Sequence, residues 1–111
     1  MDITQTEENG IHVFGMAGRL DSNTSPEFEK KLFNAIGDGA ARVVVDCTDL
    51  DYISSAGLRV VLKATKELKK KDGLLVLCCM KEYVREVFEI AGFDTFITIV
   101  PDLDEAKAQF D

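Results

Sequence analysis

The feature that most constrains the fold of this chain is the alternation of strand and helix patterns along most of its length. Residues 43–45 are three consecutive valines, and residues 74–80 (LLVLCCM) are wholly apolar, as is typical of strands covered on both faces. Segments with apolar residues three and four positions apart, the pattern of amphipathic helices, precede and follow these runs. Such alternation predicts parallel strands joined by crossover helices. We therefore predict an α/β fold with a mostly parallel sheet.

The first twenty residues predict a β-hairpin at the start of this sheet. Asn9-Gly10 is a favoured two-residue turn, and it stands between the weakly alternating ITQT and the strand-like IHVFGMAGRL. The predicted order is then β-β-α-β-α-β-α-β-α, in a mixed but mostly parallel sheet. With no linker, repeat or low-complexity segment, one small domain over residues 1–111 accounts for the whole chain.

Residues that favour the starts and ends of helices and strands set the expected bounds of the predicted elements. In the first helix Ser25 is the expected cap, Pro26 fits the first helical position, and Gly37 ends the helix. The strand that follows is expected to end at Asp46, and a second helix to begin near Ser55. Lysines between residues 63 and 71 indicate a solvated face of that helix, with i,i+4 support from Glu67.

Charge and composition exclude several classes of partner. The net charge is −7 and the pI about 4.7, so we expect no direct nucleic-acid binding and no attraction to an anionic membrane. Neither a signal peptide nor an apolar run of about 20 residues is visible, which favours the cytoplasm. Adjacent Cys78 and Cys79 lie in an apolar run and are interpreted as small buried hydrophobes rather than disulfide partners.

The sequence offers little material for an active site. His12 is the only histidine, and neither a phosphate-binding glycine loop nor a G-x-S-x-G motif is present. We expect no catalytic residue, no metal ligand set and no cofactor. One remote alternative is a cysteine-dependent phosphatase. Five residues separate Cys79 from Arg85, the spacing at which protein tyrosine phosphatases hold a phosphate. The intervening MKEYV lacks a glycine that would let a loop curl around phosphate, and Arg85 has a helical pattern.

Two adjacent serines stand where a strand gives way to a helix, in the stretch DYISSAGLRVVL (51–62). A helix N-terminus presents unpaired amides and partial positive charge, and a serine there is usually a cap. Gly57 weakens a first helical turn and suggests close approach by another backbone or by an incoming enzyme. The residues alone predict an accessible helix start with two hydroxyls, and leave open whether either is modified.

Two segments resemble the motifs of a known family. VVVDCTDLDYISSAGLRVVL resembles the core motif of the STAS domain of bacterial anti-sigma factor antagonists. MAGRLDSNTSPEFEKKL is similar to the upstream Gly-x-Leu-Asp segment of that family, here Gly18, Leu20 and Asp21. The resemblance covers essentially the whole chain and implies a STAS-like fold.

The resemblance also implies a partner-switching function without catalysis. In the unphosphorylated form, such an antagonist binds an anti-sigma factor that is also a serine kinase, and so frees a sigma factor. The kinase phosphorylates a serine at the start of the second helix and the complex separates, whereas a PP2C-type phosphatase restores binding. The alternative within the family is an unphosphorylated scaffold or accessory subunit of a signalling or lipid-transport complex.

The family pattern places the phosphorylated position on Ser55, with Ser54 as second choice because it stands where aspartate is usual. Asp21 and Asp51 are expected to repel a partner once phosphate is added. Arg59 is either solvated or paired with an acidic group or the phosphate. The implied partner-binding face comprises Asp21, Ser22, Asn23, Thr24, Ser54, Ser55, Gly57, Leu58 and Arg59.

Overall fold

The chain opens with the predicted hairpin. A computed structural model describes residues 1–110, in which strands β1 (Asp2–Glu8) and β2 (Ile11–Leu20) pair antiparallel. Asn9 and Gly10 join them with φ angles of 54° and 79°. Positive φ at both central residues is the requirement of a type I′ turn, which Asn-Gly satisfies at low steric cost. The expected turn is confirmed.

The five strands in the described part of the chain form one mixed sheet in the order β1-β2-β3-β4-β5. Strands β3 (Arg42–Ile53), β4 (Leu74–Cys78) and β5 (Thr98–Val100) continue from β2 in parallel, so the opening hairpin supplies the antiparallel pair. The predicted mostly parallel α/β architecture and its element order are confirmed.

Within residues 1–110, four helices cover the two faces of the sheet. They are α1 (Ser25–Gly37), α2 (Ser55–Lys70), α3 (Glu82–Ile90) and α4 (Leu103–Ala108), with a single 3₁₀ turn at Phe93–Thr95. The larger core joins α1, α2 and α3 to one face, whereas the smaller core lies beneath α4 on the other. No helix in the described part of the chain is both long and apolar enough to cross a membrane.

Strand β3 is longer than expected. It continues past Asp46 to Ile53, and beyond Asp46 its pairing partner is β2 alone. Leu50 and Ile53 are buried along this extension, whereas the polar residues between them face solvent. The expected end at Asp46 was wrong because cross-strand pairing with β2 stabilises a segment whose composition alone resembles a loop. The extension delivers the chain to the start of α2.

The expected cap of α1 is displaced by one residue. Thr24 precedes the helix, Ser25 is its first residue, and Pro26 follows. The Ser25 side chain is buried, and its hydroxyl has no hydrogen-bond partner among the described residues. Phe28, Leu32, Ala35 and Ile36 form the buried stripe as predicted.

Candidate functional site

The site forms where parallel β2 and β3 end at the same edge of the sheet. The amide of Ser54 donates a hydrogen bond of 2.8 Å to the carbonyl of Leu20, so the turn after β2 lies against the start of α2. Two segments more than thirty residues apart in sequence are thereby joined at one surface. The implied partner-binding face is therefore assembled from both the β2–α1 turn and the first turn of α2.

The two serines occupy different positions at this helix start. Ser54 is the N-cap: it is half-buried, its Oγ accepts from the Gly57 amide at 3.3 Å, and its carbonyl accepts from the Leu58 amide at 2.9 Å. Ser55 is the first helical residue, and its side chain is exposed. The first turn of α2 contains no acidic side chain. An anion on Ser55 would therefore meet the positive end of the helix without a competing carboxylate.

Packing within the domain explains why position 57 is a glycine. It is buried, and a β-carbon at this position would lie 2.8 Å from Cγ1 of Ile53 and 2.9 Å from Cδ2 of Leu20. The close approach therefore comes from side chains of the same domain, which corrects the expectation of an incoming enzyme. Leu58 is also in the core, at 7% exposed. Both residues lie beneath the expected partner-binding face instead of on it.

The β2–α1 turn is organised by Asp21. Its Oδ1 accepts from the amides of Asn23 at 2.9 Å and Thr24 at 3.1 Å. The bond from the Asn23 amide is the main cause that holds the pKa of Asp21 below its ordinary value. Thr24 Oγ1 donates to the Arg19 carbonyl at 2.7 Å and accepts from the Asp21 amide at 2.9 Å. Asp21 and Thr24 thus shape the turn, whereas Ser22 and Asn23 are exposed on it.

Asp51 is not a free carboxylate. Its Oδ1 accepts from Nζ of Lys81, at the start of α3, and this hydrogen bond is the main cause that raises the pKa of Lys81. The pairing offsets the charge of Asp51, so the expectation that it repels a partner is weakened. Asp21 is ionised at neutral pH, and the hydrogen bonds that lower its pKa favour this charged form further.

A groove of about 610 Å³ runs beside Ser55 between α1 and α2. We call it the α1–α2 groove, and its lining residues are Ser22, Ser25, Pro26, Glu29, Lys30, Phe33, Asn34, Ala56, Arg59, Val60 and Lys63. Lys63 Nζ joins its two walls through a 3.1 Å ion pair with Glu29 Oε2. Arg59 is exposed, and it makes no ion pair within residues 1–110.

The α1 side of this groove escaped prediction from the sequence. Phe33 is partly exposed there, outside the buried stripe of α1, and that position of an aromatic residue was the available signal. Lys63 was expected to pair along α2 with Glu67, but it instead reaches Glu29 and lies 5.6 Å from the ring centroid of Phe33. These side chains define a surface that adjoins the phosphorylation candidate.

The geometry gives no support to the remote phosphatase alternative. Arg85 lies on α3 with its Nε 3.6 Å from Oε1 of Glu89. Glu82, Glu86 and Glu89 line the same surface cavity as Arg85, and their charge opposes a phosphate ligand. No loop of amides curls between Cys79 and Arg85, because α3 begins at Glu82.

Comparison with known proteins finds the same fold and motifs elsewhere. The sequence profile of the STAS domain matches residues 2–106. The chain is 41% identical over 110 residues to BtrV of Bordetella bronchiseptica, described as a candidate anti-sigma factor antagonist, and the match covers 99% of this chain and 95% of BtrV.

Two solved structures extend the likeness to three dimensions. A candidate anti-sigma factor antagonist from Thermotoga maritima superposes with a TM-score of 0.92 at 18% identity, over 96% of this chain and 92% of that one. The Bacillus cell fate determinant SpoIIAA, in its phosphorylated form, superposes with a TM-score of 0.77 at 21% identity, over 99% and 100% of the two chains. At these identities the likeness concerns the fold.

Proposed function

The chain belongs to the STAS domain family, and we propose that it is an anti-sigma factor antagonist whose binding is controlled by phosphorylation of Ser55. One observation carries the assignment to Ser55. At the start of α2, Ser54 is half-buried and its oxygen caps the helix, whereas the Ser55 side chain is exposed. A kinase can therefore reach Ser55 without disturbing the cap. The similarity to BtrV supports the antagonist function.

The domain itself can accommodate a phosphate on Ser55. The group adds about −1.5 to −2 charge at neutral pH, and a helix N-terminus favours such an anion. No acidic side chain stands in the first turn of α2. Arg59 lies four residues further along the same helix, so it shares a face with Ser55 and can approach the phosphate. Phosphorylation should therefore leave the fold unchanged.

A bound partner would experience the same phosphate differently. Ser22, Asn23 and Ser55 are exposed, and the α1–α2 groove adjoins them through Ser22 and Ala56. We infer that the unphosphorylated face packs against the anti-sigma factor. Added phosphate then places bulk and negative charge at that contact, next to the ionised Asp21 turn. Separation follows from local repulsion and steric conflict.

The proposal specifies the enzymes that set the state of the switch. The partner is an anti-sigma factor with serine kinase activity, and a PP2C-type phosphatase removes the phosphate. The antagonist contributes the acceptor hydroxyl and the binding surface, with no catalysis or cofactor of its own. These partners act in the bacterial cytoplasm, which the proposal therefore assigns to this chain.

Phosphate mapping tests the modified residue. The protein is incubated with ATP and anti-sigma kinases from the same genome, and phosphorylation sites are mapped by mass spectrometry. Wild type and Ser54→Ala should incorporate one phosphate, whereas Ser55→Ala should incorporate none. Ser22→Ala removes another exposed hydroxyl of the same face, so it serves as the matched control and should still incorporate one phosphate on Ser55.

Three results would contradict the proposal in different ways. Phosphate lost with Ser54→Ala but retained in Ser55→Ala would move the site by one residue. Stable complex formation without phosphate incorporation by any of the kinases would favour the unphosphorylated scaffold. Failure to bind any anti-sigma factor in either state would reject the antagonist function itself.

A further inference from the structure

A second cluster of chemically active side chains lies where β4 ends. The carboxylate of Asp46 and the thiols of Cys78 and Cys79 each place one donor atom within 4.8 Å of the others. Asp46 and Cys78 are register partners on adjacent parallel strands. Asp46 and Cys79 are half-buried and Cys78 is fully buried, so the cluster is accessible from one side.

The backbone at Cys79 brings the two thiols together. The apolar run predicted two small buried cysteines, and Cys78 is buried as expected whereas Cys79 is half-buried. Neighbouring residues of a regular strand point to opposite faces, which would separate the two thiols. Strand β4 instead ends at Cys78, and Cys79 adopts a left-handed conformation with φ of 63°. This geometry is unfavourable for a residue with a β-carbon. Its consequence is a pair of adjacent thiols on one side, close to Asp46.

We propose that Asp46, Cys78 and Cys79 form a binding site for one thiophilic divalent cation of the Zn²⁺ type. Zn²⁺ binds thiolate sulfur at about 2.3 Å and carboxylate oxygen at about 2.0–2.2 Å in tetrahedral geometry. Donors around such an ion stand roughly 3.6–3.8 Å apart, so three donors within 4.8 Å need to move only slightly. Two sulfurs and one oxygen leave the fourth position for water or a further ligand.

Hydrogen bonds from Thr48 hold the carboxylate ligand of the site in place. Thr48 donates to Oδ1 of Asp46 twice, from its amide at 3.0 Å and its hydroxyl at 2.6 Å, which orients the carboxylate. Such supporting hydrogen bonds are typical of metal-ligating carboxylates. On binding, the two thiol protons leave to solvent, and the thiolates and carboxylate neutralise the ion. The site is independent of the proposed function.

Direct metal binding tests the site in the whole reduced protein. Zn²⁺ content is measured after equilibration and gel filtration, and Co²⁺ is titrated as a probe whose thiolate charge-transfer absorption reports sulfur ligation. One ion per chain is expected, together with a rise in melting temperature. Cys79→Gly is the most informative variant because glycine suits the positive φ while one thiol is lost. Its metal-free form should melt at or above the wild-type temperature.

The variants and the control separate a built site from adventitious binding. Cys79→Gly, Cys78→Ser and Asp46→Asn should each weaken Zn²⁺ binding by about 100-fold or more, since even supporting partners contribute 10–100-fold. Cys47→Ala removes the buried thiol of the opposite face and should bind Zn²⁺ as wild type does. Full Zn²⁺ affinity in Cys79→Gly or Asp46→Asn overturns the site. Absence of bound Zn²⁺ in the reduced wild type also overturns it, whether or not air oxidation produces a Cys78–Cys79 disulfide.

Discussion

At the scale of single residues, the adjacent serines at the start of α2 differ in their environments. The Oγ of Ser54 accepts from the Gly57 amide and so satisfies one of the unpaired donors of the helix, whereas the side chain of Ser55 is exposed. The difference explains how a helix start can expose one serine side chain and remain capped by the other. It also predicts different energetic consequences for the two alanine substitutions.

Ser54→Ala should lower the free energy of unfolding by about 1 kcal/mol, because the side-chain cap is lost. Ser55→Ala should change it by less than about 0.5 kcal/mol, as an exposed residue without such a role. Urea unfolding of the two variants and wild type, followed by circular dichroism, checks the difference. Equal destabilisation by both substitutions would contradict the assigned cap.

Gly57→Ala should destabilise the fold by about 1–3 kcal/mol because the new methyl group overpacks the core against Leu20 and Ile53. Gly37→Ala is the matched control: it ends α1, and a β-carbon there meets nothing within 4 Å. That variant should be stabilised by about 0.4–1 kcal/mol through a less flexible unfolded chain. Thermal unfolding of both variants checks the difference. Equal melting temperatures would contradict the predicted overpacking, because Leu20 and Ile53 would then move aside without cost.

At the scale of elements, the β2–α1 turn is held by charge-assisted hydrogen bonds to Asp21. Because these bonds favour the ionised form, the pKa of Asp21 in the folded protein lies below its ordinary value of 3.8. Its stabilising contribution is therefore present above the unfolded pKa and is lost as pH falls through the folded pKa. Neutral pH leaves the turn intact.

The carboxyl carbon of Asp21, followed by NMR, should titrate with a midpoint below 3.8. Asp21→Asn retains an oxygen acceptor without a titrating charge, so its stability deficit relative to wild type should shrink as pH falls below about 4. Unfolding measurements across that range check this second expectation. A midpoint at or above 3.8, or a deficit independent of pH, would contradict the described turn.

Local sequence signals were sufficient for most elements. Three elements could be predicted from their own residues: the Asn9-Gly10 turn, the buried stripe of α1 and the apolar strand β4. Turn chemistry and hydrophobic periodicity are local properties of the sequence. The extension of β3 to Ile53 could not be predicted from the local sequence, because it depends on pairing with β2, which is distant in sequence. Lys63 similarly pairs across two helices rather than along its own.

At the scale of the whole molecule, the site could be predicted in part. Family resemblance predicts a switch at Ser55 and the neighbouring turn, but it does not separate surface residues from those beneath them. Gly57 and Leu58 are buried because the ends of β2 and β3 pack under α2. The α1–α2 groove is lined by residues of both helices, so it could not be predicted from either segment alone.

At the same scale, we propose that phosphate on Ser55 acts at the partner interface and not on the fold. In this proposal the groove and the exposed residues beside Ser55 form that interface, while the first turn of α2 and Arg59 can accommodate the charge internally. The affinity for the anti-sigma factor should therefore change while the folded structure does not.

Isothermal titration calorimetry with the cognate anti-sigma factor tests this claim most directly. Unphosphorylated protein is compared with protein carrying phosphoserine at position 55, after the two spectra confirm the same fold. We expect the phosphorylated form to bind at least about tenfold more weakly, a difference of 1.4 kcal/mol or more. Equal affinities of the two forms would contradict the account.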